Sequence, residues 1–163
     1  NYEIAELYSR EFNMSQPYKD GDHPRKRIVS LTGDPQNKDL LDASSVRIGW
    51  IDVLKYKYIV SVSGNSYAGL LKHALLSNSC VLRQDAMAKE WYEDMMVEWV
   101  HYVPVAYDLS DLFEKIRWAK DHDEECEKIA NAATKFGREH FNNSVINRYV
   151  HDTIMNSALV RES

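Results

Sequence analysis

The stretch Lys55 to Val105, KYKYIVSVSGNSYAGLLKHALLSNSCVLRQDAMAKEWYEDMMVEWVHYVPV, decides the fold. Tyr56 to Val62 is rich in β-branched and aromatic residues and too short for an independent helix, so it reads as a strand. Its near-continuous apolarity predicts a central place in the sheet. Gly64-Asn65-Ser66-Tyr67-Ala68-Gly69 punctuates it, and Leu70, Leu71, Ala74 and Leu75 then recur at helical spacing until Asn78 and Ser79. A second buried run ends Ser79-Cys80-Val81-Leu82. Strand, glycine-marked turn, helix and strand make a parallel unit. The turn then falls at the carboxyl edge of the first strand, where main-chain N–H groups and a helix dipole can hold a phosphate. This order points to an anionic, nucleotide-like ligand.

Working outward, Glu90 to Glu98 is a short amphipathic pattern carrying Trp91, Tyr92, Met95 and Met96, and Trp99 to Val105 reads as the next strand, closed by proline. Asp108-Leu109-Ser110-Asp111 opens a helix containing Leu112, Phe113, Ile116 and Ala119. Asp123 to Phe141 and Val145 to Leu159 carry apolar stripes and predict two more helices. Upstream, Arg27 to Leu31 is a short strand candidate stopped by Thr32-Gly33-Asp34-Pro35, and Val46 to Trp50 is another. Residues 1–24 read as a connecting segment, 25–141 as a Rossmann-like α/β domain, and 142–163 as a C-terminal helix.

The 163 residues suffice for one sizeable core, and 44% hydrophobic with 28% charged residues is ordinary globular usage. A formal charge of -5 leaves no global basic field for nucleic acid or an anionic membrane, so any phosphate must be held locally. No run of about 18 apolar residues occurs. The start Asn1-Tyr2-Glu3-Ile4 has neither a signal-peptide pattern nor an initiator Met, as expected of a piece of a longer chain. The two cysteines, Cys80 and Cys126, form no metal-ligand spacing and read as buried free thiols. Asn13-Met14-Ser15 and Asn142-Asn143-Ser144 fit the N-glycosylation pattern, which matters only in a secretory lumen.

Lys55-Tyr56-Lys57-Tyr58, Gly64-Asn65-Ser66-Tyr67, Lys72-His73, Leu76-Ser77-Asn78-Ser79 and Trp99 to Leu109 together resemble the donor-binding half of glycosyltransferase family 90. Arg25 to Leu31 looks like the family's preceding strand, and Asp39 to Ala43 like its DLLDA element. The resemblance covers roughly residues 24 to 155. It implies the C-terminal half of a GT-B enzyme with two Rossmann-like halves, transferring glucose or xylose from a UDP-sugar to a protein Ser or glycan hydroxyl with inversion. The UDP-sugar is a co-substrate; no cofactor or metal is implied. The general base would belong to the N-terminal domain, absent here, so this piece alone is expected to be inactive. That domain and the acceptor are the implied partners, and the endoplasmic reticulum or Golgi lumen the implied compartment.

By the same resemblance Gly64, Asn65, Ser66, Tyr67, Ala68, Gly69 and Leu70 would line the diphosphate and sugar, with Arg25 near the nucleotide and Lys72 adding charge. Small residues let the backbone approach a pyrophosphate, and Ser66 can donate a hydrogen bond. Leu70 departs from the pattern, because family members commonly carry Arg there and leucine supplies neither charge nor a bidentate fork. Two readings follow: a working donor site, or a degenerate module that keeps the fold without the chemistry.

Plainer readings stand beside these. A Gly-rich turn serves any strand-to-helix connection. Lys72, His73 and Arg25 would ordinarily be solvated. Glu90, Glu93 and the run Asp121 to Glu127 read first as solvated helix faces, although Glu90 could reach a ribose hydroxyl. Trp91, Tyr92 and Trp99 read as core, and His101 as a hydrogen-bonded strand histidine. Ser61, Ser63 and Ser66 lack a nucleophile elbow.

Overall fold

The computed structural model describes residues 23–32, 37, 40–43, 49–64 and 66–161. Two compact units divide the chain, Asn1–Arg47 and Ile48–Ser163. In the first unit, helix α1 spans Pro24–Thr32. This corrects the strand expected over Arg27 to Leu31. Proline is at home in the first turn of a helix, where its missing N–H has no intrahelical partner to lose. Pro24 and Ile28 are the buried positions, four residues apart as a helical face requires. Ser30 Oγ and Thr32 Oγ1 donate back to the Arg27 and Val29 carbonyls, which absorbs both hydroxyls within the helix. Buried Asn37 donates from Nδ2 to the Leu31 carbonyl and accepts the Leu40 and Leu41 N–H groups at its own carbonyl.

The second unit begins with the short helix α2, Trp50–Val53. Of the strand expected at Val46 to Trp50, residues 46–48 lie outside the described residues, and Trp50 is helical. A parallel sheet follows, of β1 (Tyr58–Ser61), β2 (Cys80–Gln84) and β3 (Val103–Val105), in the order β1-β2-β3. Tyr58 pairs with Cys80, and Leu82 with Val103. The parallel strand-helix-strand unit read from the sequence is present. The central strand is not the one expected, however. Among the described strands β1 lies at an edge, where its exposure alternates, whereas all five residues of β2 are buried.

Helix α3 (Leu71–Leu76) joins β1 to β2, a 3-10 turn spans Glu93–Met95, and α4 (Leu112–Asp121), α5 (Asp123–His140) and α6 (Asn143–Arg161) complete the chain. The result is a mixed α/β unit with a small parallel sheet flanked by helices. Leu71, Ala74 and Leu75 of α3 join Ile59, Val81, Tyr92, Tyr102, Ala133 and Phe136 in one core cluster. Each leucine so enclosed contributes about 1.5–3 kcal/mol by leaving water.

Several boundaries moved. The third strand contracts to Val103–Val105 because Trp99 adopts a positive φ of 60° and the Val100 and His101 N–H groups close onto the Val97 carbonyl. Helix α4 starts at Leu112, and Asp111 Oδ1 accepts the Ala106 N–H instead of capping it.

Candidate functional site

Gly64 and Ala68 are buried and Ser66 and Tyr67 exposed in the turn after β1; Asn65 lies outside the described residues. Helix α3 is wound by the Leu71 N–H to the Ala68 carbonyl and the His73 and Ala74 N–H groups to the Leu70 carbonyl. Its six residues are fewer than expected, because Ser66 to Leu70 remain in turn conformation. A Cβ at Gly69 would meet Tyr67 Cε2 at 3.9 Å, an ordinary van der Waals contact. Leu70 is half-buried and packs against the core cluster, and Lys72 is exposed on the first turn of α3. Arg25 is exposed on α1 and belongs to the other compact unit.

The turn is held from behind by Gln84, the last residue of β2, only 1% exposed. Its Oε1 accepts the Ser63 N–H at 3.0 Å and the Ser63 hydroxyl at 3.1 Å, and its Nε2 donates to the Tyr107 carbonyl. In a parallel sheet all strands exit at the same edge. One buried amide on the central strand therefore ties the exits of both neighbours together. An amide carries donor and acceptor at once, which this position needs and a carboxylate lacks.

Beside the turn, Glu90 and Glu93 depart from their expected role as solvated face. Glu93 is enclosed, its Oε2 accepting from Arg83 Nε at 2.9 Å and also from the other arm of the guanidinium. Arg83 stacks over the Tyr102 ring at 5.1 Å. Glu93 Oε1 accepts the Glu90 N–H at 2.8 Å, so the ion pair reaches the Glu90 backbone. Glu90 Oε1 is enclosed with no hydrogen-bond donor among the described residues. Burial pushes the Glu90 carboxyl above its usual range; nearby Lys72 opposes that shift and Glu93 adds to it. The same burial, with Lys72 beside it, holds His73 below its ordinary value. A carboxylate at a turn with one oxygen unengaged is an acceptor for hydroxyl donors.

The aromatic stripe divides. Tyr92 is core, and Trp91 is half-buried and stacked on Tyr149 of α6, ring centroids 4.6 Å apart. Trp99 is 43% exposed with its edge on Trp118 and the Lys115 ammonium over its ring, which corrects its assignment to the core. Cys80 and Cys126 are buried free thiols as read. The sequence alone did not single out Arg83 and Gln84 for these roles; two polar residues closing an apolar strand, Val81-Leu82-Arg83-Gln84, were the available signal.

His101 Nδ1 accepts the Val97 N–H at 2.9 Å, a bond that requires the unprotonated nitrogen. Burial lowers its pKa below 6.5, and His140 lowers it further. A histidine depressed in the folded state binds its proton more readily when unfolded, so stability rises with pH in that window. Urea midpoints should fall as the pH drops below about 6.5. His101→Asn, which retains an acceptor and cannot titrate, should flatten that slope; an unchanged slope would place the titration elsewhere.

The class is thus an α/β parallel-sheet unit with a small-residue turn at the carboxyl edge and a buried acidic group beside it. The sequence matches Glycosyl transferase family 90 over residues 19–160, and the chain belongs to that family. It is similar to Protein O-glucosyltransferase 2 of Danio rerio, 42% identical over 104 residues, covering 64% of this chain and 21% of that protein. It is also similar to Protein O-glucosyltransferase 3 of Homo sapiens, 35% identical over 135 residues, covering 80% of this chain and 26% of that protein. Uncharacterized protein 035R of Invertebrate iridescent virus 3 is 39% identical over 102 residues, 61% of this chain and 9% of that protein. The chain spans about a fifth to a quarter of the length of the two glucosyltransferases.

Proposed function

We propose that this chain is the donor-binding part of an inverting GT-B glycosyltransferase that moves glucose or xylose from a UDP-sugar to an acceptor hydroxyl on protein or glycan. Family membership supports the reaction class, and the turn after β1 supports the donor role. The carrying observation is Gly69 beside exposed Ser66, a stretch of main chain that a diphosphate can approach without a Cβ at residue 69 in the way. Ser66 donates to a phosphoryl oxygen, Lys72 adds positive charge, and the half-exposed Glu90 carboxylate near Lys72 accepts from ribose hydroxyls. Tyr67, Ala68 and Leu70 complete the proposed lining; Asn65 and Arg25 are assigned to donor binding by family resemblance alone.

In the reaction, hydrogen bonds and positive charge stabilise UDP as its phosphate leaves. The base that deprotonates the acceptor belongs to an N-terminal domain, and the C-terminal helix of residues 142–163 is proposed to pack on or cross to that domain. The site works in a lumenal compartment and takes no metal. One observation favours the alternative of a degenerate module: Leu70 packs toward the core and brings no charge to the turn.

Isothermal titration with UDP tests the reading. Wild type should bind weakly, and Leu70→Arg should tighten binding about tenfold through a charge-assisted contact. Glu90→Gln should weaken it by a similar factor, because an amide nitrogen can replace one acceptor oxygen. A folded wild type that gives no heat with millimolar UDP, joined by an unchanged Leu70→Arg, would move the site away from this turn.

A further inference from the structure

The two cysteines of the chain lie on one seam between the sheet and α5. Tyr58 of β1 and Cys80 of β2 are register partners, so their side chains share a face of the sheet. Asp123 and Cys126 are three apart on α5 and share a face of the helix. The two faces are pinned to each other independently of sulfur: Tyr58 donates its hydroxyl to Asp123 Oδ1 at 2.8 Å, and Lys57 pairs with the same oxygen. Beneath that anchor both cysteines are buried, close enough for each thiol to influence the other's ionisation. Cys126 Sγ in turn donates to the Ala119 carbonyl at 3.5 Å.

We propose that Cys80 and Cys126 close an intramolecular disulfide when the chain folds in an oxidising thiol environment, tying the central strand to helix α5. The strand register and the Tyr58–Asp123 anchor bring the two cysteines to one seam, so bonding requires side-chain rotation and a local approach instead of a change of fold. Glutathione disulfide is a sufficient oxidant. The thiolate of one cysteine attacks it, forming a mixed disulfide and releasing one glutathione thiolate. The thiolate of the other cysteine then attacks the protein sulfur and expels the second glutathione thiolate. Two protein thiols are oxidised, one glutathione disulfide is reduced, and the two protons end on the released glutathiones.

Timing follows from burial. Cys80 is 2% and Cys126 1% exposed, which closes both to an oxidant once the core has formed. Burial also pushes both thiols up, leaving little thiolate to attack. The bond therefore forms during folding, as α5 docks on β2 and before the seam closes to the oxidant.

The test is to refold the reduced, denatured wild-type chain in a glutathione redox buffer and block free thiols with iodoacetamide under denaturing conditions. Intact-mass and peptide mapping follow. The expected product is a monomer lighter by two hydrogens, free of alkyl groups, with one cross-linked peptide joining the Cys80 and Cys126 segments and released by dithiothreitol. Two alkylated thiols, separate glutathione adducts, or a cross-linked dimer would overturn the proposal. Cys126→Ala, treated identically, should hold Cys80 only as a free thiol or glutathione adduct. Because the decisive mapping is made on wild type, a poorly folding variant does not blunt it.

Discussion

Arg83→Met should destabilise the chain by about 3–5 kcal/mol, among the larger effects expected of a single substitution. The Arg83 and Glu93 side chains are 7% and 3% exposed, and removing the guanidinium strands a carboxylate where water cannot reach it. The cost comes from that uncompensated charge. Arg83→Met combined with Glu93→Leu should therefore recover most of the loss, leaving about 0.5–1.5 kcal/mol for the lost Glu90 N–H bond. Urea unfolding of the two singles and the double forms the cycle that separates these terms. A near-neutral Arg83→Met would mean that the pair is solvated in solution. The double variant also probes function, because it frees the Glu90 backbone while restoring stability. If Glu90 receives the ribose, UDP binding should stay weakened even though the fold has recovered.

Gln84→Leu should cost roughly 3 kcal/mol, since each intramolecular hydrogen bond contributes about 1 kcal/mol net. Three such bonds are removed, from the Ser63 N–H, from the Ser63 hydroxyl and to the Tyr107 carbonyl. Leucine fills the volume, so a cavity does not explain the loss. Gln84→Glu separates the roles of the two ends of the amide, because it keeps an acceptor for Ser63 and presents an oxygen to the Tyr107 carbonyl. Amide exchange should accelerate at Ser63 in the leucine variant and less in the glutamate variant. Equal protection in all three proteins would show that the strand exits are held by something other than this side chain.

The parallel strand-turn-helix-strand unit was legible because Tyr58 to Val62, Leu70 to Leu75 and Cys80 to Leu82 carry periodicities that few other arrangements satisfy. The long helices α5 and α6 were equally plain, their apolar stripes running over several turns. Arg27 to Leu31 misled because a five-residue run with three of Ile, Val and Leu is ambiguous between strand and helix. Pro24 and the four-residue spacing to Ile28 decided it. β1 was misjudged as central because an apolar strand that borders the core on one side resembles one buried on both. Only pairing tells them apart.

For the candidate site, the chain order of Gly64, Ser66, Gly69 and Lys72 was enough to locate a turn at the carboxyl edge of a parallel strand, since local geometry follows from local residues. Arg83, Gln84, Glu90 and Glu93 were a different matter. Whether a carboxylate faces water or a guanidinium depends on residues brought together across strands and loops, and no periodicity within one segment encodes that. Sequence alone thus determined the elements and the small-residue turn, which are short-range consequences of side-chain shape and polarity. The tertiary structure decided which strand is central, which acidic groups are buried and which seam holds both cysteines, because burial and electrostatics belong to the assembled fold.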